Sequence, residues 1–294
     1  MNPSIKSILI VGGGSAGWLT AGILAARHGL TVDITLVESA DIKNIGVGEG
    51  TWPTMKETLQ DMGISETEFF RECDASFKQG AKFSQWVTGE TDDYYYHPLM
   101  LPQDFVNTNL APFWLKNNNG QSFSNSVCFQ EALCQHNLAP KTITMPEFSG
   151  AANYAYHLDA GKFTSFLTKH CTQKLNVTHQ LATISHITQH ENGDIKSVTS
   201  SDGRELQADL FIDCTGSASL LLGKTLGVEF VDKSDVLFID KAIAVQVPYE
   251  SEADPILPYT LSTAQEAGWI WDIGLPSRRG VGHVYSSRHM SDEK

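Results

Sequence analysis

The sequence predicts an α/β fold that begins with a βαβ unit of a parallel sheet. Three observations predict it: an apolar, β-branched run over residues 5–11, three consecutive glycines directly after it, and a helical stretch over residues 18–26. The helix is expected to end near Gly29, and residues 31–37 read as a second strand. A strand, a glycine turn, a helix and a strand in this order make one βαβ unit, so the two strands are expected to run parallel.

The turn after the first strand has the spacing of a loop that binds phosphate. It consists of Gly12, Gly13, Gly14, Ser15, Ala16 and Gly17, which fit the pattern G-x-G-x-x-G. The first glycine permits a tight turn, the second lets the backbone approach a pyrophosphate, and the third lets the helix pack on the strand with its N-terminus toward the anion. Glu38 follows Gly17 by 21 residues, with Ser39 beside it, where an acidic side chain accepts from ribose hydroxyls. The predicted ligand is a dinucleotide.

A late apolar strand favours FAD over NAD. Residues 209–213 read as a buried strand that ends in Asp213 and a glycine turn at Gly216, before a helix over residues 217–226. Flavoproteins of the glutathione-reductase/hydroxybenzoate-hydroxylase type return such a strand to the sheet beside the cofactor, whereas a plain NAD dehydrogenase does not need it. In that fold a short strand, which ends here at Leu181, offers backbone groups near the adenine. No second glycine-rich βαβ unit follows, so we expect no NAD(P)H site.

Composition and charge exclude several classes of function. The 294 residues are 41% hydrophobic, which is enough for a full core, and the net charge of −13 disfavours nucleic-acid or anionic-membrane partners. The five cysteines show neither a CxxC pair nor a metal-ligand spacing, which suits a reducing cytoplasm and predicts no metal site. The N-terminal apolar run is too short for a signal-peptide core, and no stretch approaches the ~18 apolar residues of a membrane span. We expect a soluble, cytoplasmic protein.

Several further blocks follow one another along the chain. They are residues 45–54 (IGVGEGTWPT), 74–86 (DASFKQGAKFSQW), 94–99 (YYYHPL), 154–160 (YAYHLDA), 268–276 (GWIWDIGLP) and 282–287 (GHVYSS). In this order they resemble the flavin-dependent tryptophan halogenases over nearly the whole chain. The most specific piece is Trp269-x-Trp271-x-Ile273, which is similar to the W-x-W-x-I-P signature of that family.

The resemblance implies a two-component chemistry. A separate NAD(P)H-dependent flavin reductase supplies reduced FAD (FADH2), which with oxygen and chloride or bromide gives hypohalous acid. A lysine then holds this acid, or forms a haloamine, beside tryptophan or another indole or arene. The family position of that lysine matches Lys78, whose ammonium can polarise the acid and whose amine can capture the halogen. Lys82, four residues further on, is the competing lysine.

The same resemblance assigns the other site residues and the domain organisation. Residues expected near the flavin are Val47, Gly48, Glu49 and Gly50. Trp269 and Trp271 alternate on one strand and are expected to line the passage between flavin and substrate. His97 matches a histidine beside the arene, with Leu99 two residues further on. Residues 1–294 are expected to form an FAD-binding module with interleaved substrate-facing segments at about 85–155 and 228–294.

The sequence departs from the family pattern at several positions. Gly274 replaces the proline of the tryptophan signature, and Gly50 and Trp52 stand where the family usually has alanine and isoleucine. Leu99 replaces an aromatic wall, which makes an indole or arene other than free tryptophan a credible substrate. The family's catalytic glutamate and halide-binding loop lie beyond the position that matches Lys294, so the activity of this chain by itself is in question.

Two other functions remain open at this stage. One is a single-component FAD aromatic monooxygenase, which takes electrons from NAD(P)H directly. The other is a non-catalytic flavin-binding protein, which the shortness of the chain relative to the family favours. Bleaching of the flavin by NADPH without a reductase distinguishes the first, and steady turnover with a reductase excludes the second. The oligomeric state is also open, with a homodimer as one option.

Overall fold

The computed structural model describes residues 4–42, 46 and 48–293. The helices are α1 Ser15–His28, α2 Met55–Asp61, α3 Glu66–Glu72, α4 Ala111–Asn117, α5 Phe123–Val127, α6 Gln130–Gln135 and α7 Ala160–Lys174. The strands are β1 Ser7–Val11, β2 Asp33–Glu38, β3 Glu49–Gly50, β4 Ser76–Lys78, β5 Gly80–Ser84, β6 Tyr94–Pro98, β7 Ala155–Leu158, β8 Thr178–Leu181, β9 Ile184–Gln189, β10 Ile195–Ser200, β11 Glu205–Leu206, β12 Leu210–Asp213, β13 Lys241–Val247, β14 Thr260–Gln265, β15 Gly268–Gly274 and β16 Arg279–Tyr285. Within these residues, no helix combines the length and the apolar character needed to cross a membrane.

The chain folds into two compact units, and each unit is assembled from three segments. Unit 1 comprises Met1–Ile45, Thr58–Ile64 and Ala160–Asp232. Unit 2 comprises Gly46–Glu57, Ser65–Asp159 and Lys233–Lys294. The segment 85–155 and nearly all of 228–294, which the sequence analysis expects to face the substrate, therefore belong to unit 2.

Unit 1 contains a four-stranded parallel sheet in the order β12-β1-β2-β8. Strand β1 leads through the glycine turn into α1, and α1 leads into β2, which confirms the predicted βαβ unit and the α/β fold class. The buried face of α1 carries Trp18, Ala21, Gly22 and Ala25 at helical spacing, and this face packs against α7. A second sheet, β11-β10-β9, is antiparallel and contains the hairpin between β9 and β10.

Two features of unit 1, strand β12 and the segment that follows it, differ from the sequence prediction. Strand β12 was expected to be buried, but it lies at the edge of the sheet and leaves Leu210 39% exposed. The predicted helix over residues 217–226 is present, but as two short pieces, a 3-10 turn over Gly216–Ala218 and a π-helix over Leu220–Thr225, and not as one continuous helix. Ser219 interrupts the helix with a left-handed φ of 41°, and the amides of Leu221 and Leu222 donate to the Asp213 carboxylate. These hydrogen bonds determine how the segment after Asp213 is wound, and the spacing of apolar residues in the sequence does not reveal them.

Unit 2 contains a six-stranded sheet in the order β13-β16-β15-β14-β5-β6 and a three-stranded antiparallel sheet in the order β3-β7-β4. Beneath the three-stranded sheet, the buried Glu66 carboxylate accepts hydrogen bonds from the hydroxyls of Tyr154 (2.6 Å) and Tyr156 (2.7 Å). It also pairs with Lys141 at 2.9 Å. Burial alone raises the pKa of Glu66, but these bonds and the amide of Phe148 outweigh burial and hold the pKa below its usual range.

Candidate cofactor cavity and lysine site

A cavity of about 270 Å³ in unit 1 opens where β1, β2 and β12 end. The predicted cofactor-binding residues that line it are Gly12, Gly13, Gly14, Glu38, Ser39 and Gly216. The carboxyl ends of parallel strands meet at one edge of a sheet, and ligands of open α/β sheets bind at that edge. The size of the cavity suits part of a dinucleotide.

The glycine loop of this cavity tolerates no side chain at three of its positions. A Cβ on Gly12, whose φ is +114°, would lie 2.1 Å from the carbonyl oxygen of Cys214. A Cβ on Gly13 would lie 1.8 Å from Oε2 of Glu38, and one on Gly17 would lie 1.9 Å from the carbonyl oxygen of Gly12. Helix α1 begins without a side-chain cap in the described structure, which leaves its first amides free to bind an anion. The glycine loop and the first amides of α1 together form a glycine cradle, whose shape and free N–H groups fit a pyrophosphate.

Glu38 has a partner that the sequence analysis missed. Its Oε1 lies 2.8 Å from Nε2 of His179, and the His179 ring contacts the Trp18 indole edge-on at 5.0 Å between centroids. Beside this pair, the hydroxyls of Ser39 and Thr183 are 2.7 Å apart. The parallel pairing of β2 with β8 brings these residues together. Nothing in the local sequence around His179 shows that pairing.

Other predicted cofactor residues lie outside the cavity lining. Asp213 accepts from the amide and hydroxyl of Thr215 and from two amides of the following turn. Burial alone raises the pKa of Asp213, but these hydrogen bonds outweigh it and lower the pKa. The carbonyl of Leu181 accepts from Arg204 at 2.8 Å, so its acceptor already has a partner. Ser15 and Ala16 form the first turn of α1, and Val47 lies outside the described residues.

In unit 2, the strand register brings Lys78 to one face of the three-stranded sheet together with Gly50 and His157. Ser76 and Gly50 both pair with His157, and Lys78 lies two residues after Ser76, so these side-chain positions share a face. Glu49 pairs with the next residue of β7 and therefore lies on the opposite face. Among the residues that the structure describes, no carboxylate pairs with Lys78. Burial lowers the pKa of Lys78 from its ordinary value.

His157 links this face to the six-stranded sheet. Its Nε2 lies 2.9 Å from Oγ1 of Thr260, at the start of β14. The ring is fully buried, and burial together with the nearby charge of Lys78 lowers the pKa of His157 to about 3. The imidazole is therefore neutral at pH 7. Asp159, two residues further on, pairs with Arg278 at 2.6 Å.

The register of the six-stranded sheet separates the two competing lysines. The pairing of β15 with β14, of β14 with β5 and of β5 with β6 decides which side chains share a face. Trp269, Trp271 and His97 lie on one face of this sheet, and Thr260 lies on the same face. Lys82 points to the other face, where its Nζ lies 4.3 Å from the centroid of the Tyr94 ring. Because Thr260 contacts His157, the face of the three-stranded sheet that carries Lys78 meets the tryptophan face and not the Lys82 face.

The two tryptophans are half-buried and have different neighbours. A Cβ on Gly282 would lie 2.0 Å from the Trp271 ring, so the indole occupies the space that a side chain at this glycine of the adjacent strand would take. Trp269 contacts the Trp86 indole at 5.8 Å between centroids. His97 is exposed, and the half-buried Leu99 donates its amide to the carbonyl of Gln79.

A family model described as tryptophan halogenase matches residues 7–294 of the chain. The chain belongs to the tryptophan halogenase family. Membership of this family implies a flavin cofactor, and the glycine cradle of unit 1 is compatible with one.

Individual tryptophan halogenases support this assignment. The chain is 37% identical to tryptophan 7-halogenase RebH of Lentzea aerocolonigenes, over 100% of this chain and 58% of that protein. A crystal structure of a tryptophan halogenase from Shewanella frigidimarina NCIMB 400 matches with a TM-score of 0.94 and 49% identity, over 98% of this chain and 57% of that chain. Xcc4156, a flavin-dependent halogenase from Xanthomonas campestris, matches with a TM-score of 0.88 and 34% identity, over 99% and 58% respectively. This chain spans little more than half the length of these relatives.

Two remaining predicted residues of this family member lie at or near β3. Gly48 is buried, and a Cβ on it would lie 3.3 Å from the Cα of Gly280. Loss of solvent raises the pKa of Glu49 above its ordinary value. In the described part of the chain, no group of three or more His, Cys, Asp or Glu side chains is arranged to hold a metal ion.

Proposed function

We propose that this chain is the part of a flavin-dependent halogenase that binds FAD and carries the lysine that delivers the halogen. The observation that carries this proposal is the setting of Lys78. Its side chain is half-buried, lacks a carboxylate partner among the described residues, and belongs to the face that meets the two tryptophans through His157 and Thr260. Lys82 is also half-buried and has no carboxylate partner among the described residues, but it lies on the other face of the six-stranded sheet, over the Tyr94 ring.

FAD is held in this proposal by the cavity of unit 1. The amides at the start of α1 bind the pyrophosphate, Glu38 accepts from the ribose, and the glycines of the loop let the cofactor approach the backbone. Nε2 of His179 lies 2.8 Å from one oxygen of the Glu38 carboxylate, and the other oxygen lies over the loop. When bound in its reduced form, FAD supplies the electrons with which oxygen converts chloride or bromide to hypohalous acid.

Lys78 acts on the hypohalous acid in one of two ways. As an ammonium it donates a hydrogen bond to the oxygen of the acid, which polarises the O–halogen bond toward an electron-rich arene. As an amine it attacks the halogen: the N–halogen bond forms, the O–halogen bond breaks, and hydroxide takes up the proton released by nitrogen as water. In either case the arene gains the halogen and loses a proton. Burial, which lowers the pKa of Lys78, increases the population of the amine form.

The substrate and partners follow from the same proposal. The substrate is tryptophan or another indole or arene, bound on the side of Trp269 and Trp271, and a separate NAD(P)H-dependent flavin reductase supplies the reduced flavin. We also propose a cytoplasmic location, which agrees with five described cysteines that are all free thiols.

The test compares Lys78→Met with Lys82→Met in the full-length protein. Each is incubated with FAD, a flavin reductase, NADH, bromide and a panel of indoles, and mass spectrometry measures halogenated product while absorbance follows flavin reoxidation. We expect Lys78→Met to lose product by at least about 100-fold with flavin reoxidation unchanged, and Lys82→Met to keep wild-type activity.

Product formation by Lys78→Met at the wild-type rate would contradict the proposed role of this lysine. A hydroxylated product formed with NADPH alone, without the reductase, would instead identify a single-component aromatic monooxygenase.

A further inference from the structure

We propose that Trp52 is a positioning residue, whose indole holds the Lys78 ammonium in a gap that the missing side chain of Gly50 leaves open. This inference rests on the proposed function, because it concerns the orientation of the lysine that delivers the halogen. Three observations carry it: the position of Nζ against Gly50, the position of Nζ over the Trp52 ring, and the charges on the surrounding strands.

The first observation is that the head of Lys78 lies in tight contact with the place that a side chain at position 50 would take. A Cβ built on Gly50 would lie 3.0 Å from Nζ of Lys78 and 3.6 Å from Cδ2 of His157. Nζ is the end of a flexible side chain, so alanine at position 50 would make Nζ shift slightly and would leave the strand in place. Gly50 therefore gives Nζ slightly more room than alanine would.

The second observation is that Nζ lies 5.3 Å from the centroid of the Trp52 ring, within the ~6 Å range of a cation–π contact. A carboxylate partner would hold the lysine strongly in its charged form and would occupy its N–H donors. The indole face attracts the charge without accepting conventional hydrogen bonds. The three N–H groups of the ammonium therefore stay available to hypohalous acid.

The third observation concerns the charged groups on the strands beside β4. His157 on β7 shares the face of Lys78 but is neutral at pH 7, since its pKa is about 3. Glu49 on β3 lies on the opposite face of the sheet. Two opposing effects therefore decide the charge state of Lys78. Burial favours the neutral amine, and the Trp52 indole favours the charged ammonium.

The experiment measures the titration of Lys78 by NMR in full-length protein labelled with [13Cε]lysine, and the signal is assigned by its loss in Lys78→Met. We expect Trp52→Leu to lower the pKa of Lys78 by about half a unit, because the exposed indole is removed while an apolar side chain remains. Trp52→Phe restores most of the shift, since it keeps an aromatic face. The matched control is Tyr94→Leu, which removes the ring under Lys82 and leaves the Lys78 titration unchanged.

Product formation is measured in the same variants as a function of pH. Trp52→Leu shifts the pH profile by the same amount as the NMR titration, and Gly50→Ala, which moves Nζ only slightly, lowers the rate of halogenation by about threefold with an unchanged thermal midpoint. A Lys78 pKa in Trp52→Leu equal to that of the wild type overturns the inference, as does a wild-type rate in Gly50→Ala. If the pKa moves as expected but the wild type forms no halogenated product, the positioning role stands and the proposed function fails.

Discussion

The cofactor cavity of unit 1 and the lysine site of unit 2 are built in different ways. The cavity is shaped by backbone: glycines at positions 12, 13 and 17 leave no space for a Cβ, and the start of α1 offers amides. The lysine site is shaped by side chains: Trp52 and His157 lie beside Lys78, and Thr260 contacts His157. The six-residue loop is contiguous in sequence, whereas the lysine site combines residues that are more than 200 positions apart.

This difference predicts how each region responds to substitution. A backbone cradle has no alternative rotamers, so a single added methyl group disrupts it. A side-chain site can repack, so its substitutions change position and charge before they change the fold. The following predictions test this contrast, beginning with the largest effect.

Gly17→Ala is expected to have the largest effect. The added Cβ would lie 1.9 Å from the carbonyl oxygen of Gly12, and only a displacement of α1 from the loop removes that overlap. We expect the free energy of unfolding in urea to fall by about 4 kcal/mol and the fluorescence titration with FAD to show no binding.

The control for Gly17→Ala is Gly203→Ala in the same unit. Gly203, unlike Gly17, has a positive φ of +86°, and no atom lies within 4 Å of its added Cβ. It should lose about 1 kcal/mol from backbone strain and keep its affinity for FAD. Wild-type FAD affinity in Gly17→Ala would show that the loop is not the close-fitting cradle described above.

Glu66→Gln tests the buried support beneath the strand of Lys78. The change leaves the buried Lys141 without its carboxylate and weakens the bonds to Tyr154 and Tyr156, so we expect a loss of about 3 kcal/mol at pH 7. The folded-state pKa of Glu66 lies below its ordinary value of 4.5. Its contribution is therefore fully present above about pH 4.5 and is lost as the pH falls through the folded-state value.

Urea unfolding at a series of pH values measures this contribution. The difference between wild type and Glu66→Gln should be largest at neutral pH and should shrink below about pH 4.5. Glu72→Gln, an exposed position on the same helix, is the control and should change stability by less than about 0.5 kcal/mol. A pH-independent difference for Glu66→Gln would argue for a packing defect and against the loss of a charge.

His179→Gln is expected to have the smallest effect. It removes the imidazole that lies 2.8 Å from Glu38, but the glycine loop and the amides of α1 remain. We expect about a fivefold loss of FAD affinity by fluorescence titration, because one polar contact to Glu38 is lost, with little change in stability. His186→Gln, an exposed position on β9, should bind FAD like the wild type. A loss above 100-fold would mean that side chains, and not the backbone, dominate the cavity.

The sequence was sufficient for those features that depend on neighbouring residues. The order of strand, glycines, helix and strand predicts the βαβ unit, because each element follows from local periodicity and from the φ values that glycine permits. The pattern also locates Glu38 at the cavity, since a parallel strand that follows one helix returns to the same sheet edge. Lys78 was singled out by its resemblance to a family motif, and residue-level reasoning alone did not separate it from Lys82.

Tertiary structure decided the features that depend on register and on distant partners. The chain passes through a positive φ of +153° at Gly80 between β4 and the rest of β5, and Lys78 and Lys82 lie in different sheets although they are only four positions apart. The pairing of β2 with β8 brings His179 to Glu38, and burial between two sheets makes His157 neutral. The sequence pattern does not contain these outcomes, because a strand's side-chain period of two fixes which residues alternate but not which strand pairs with which.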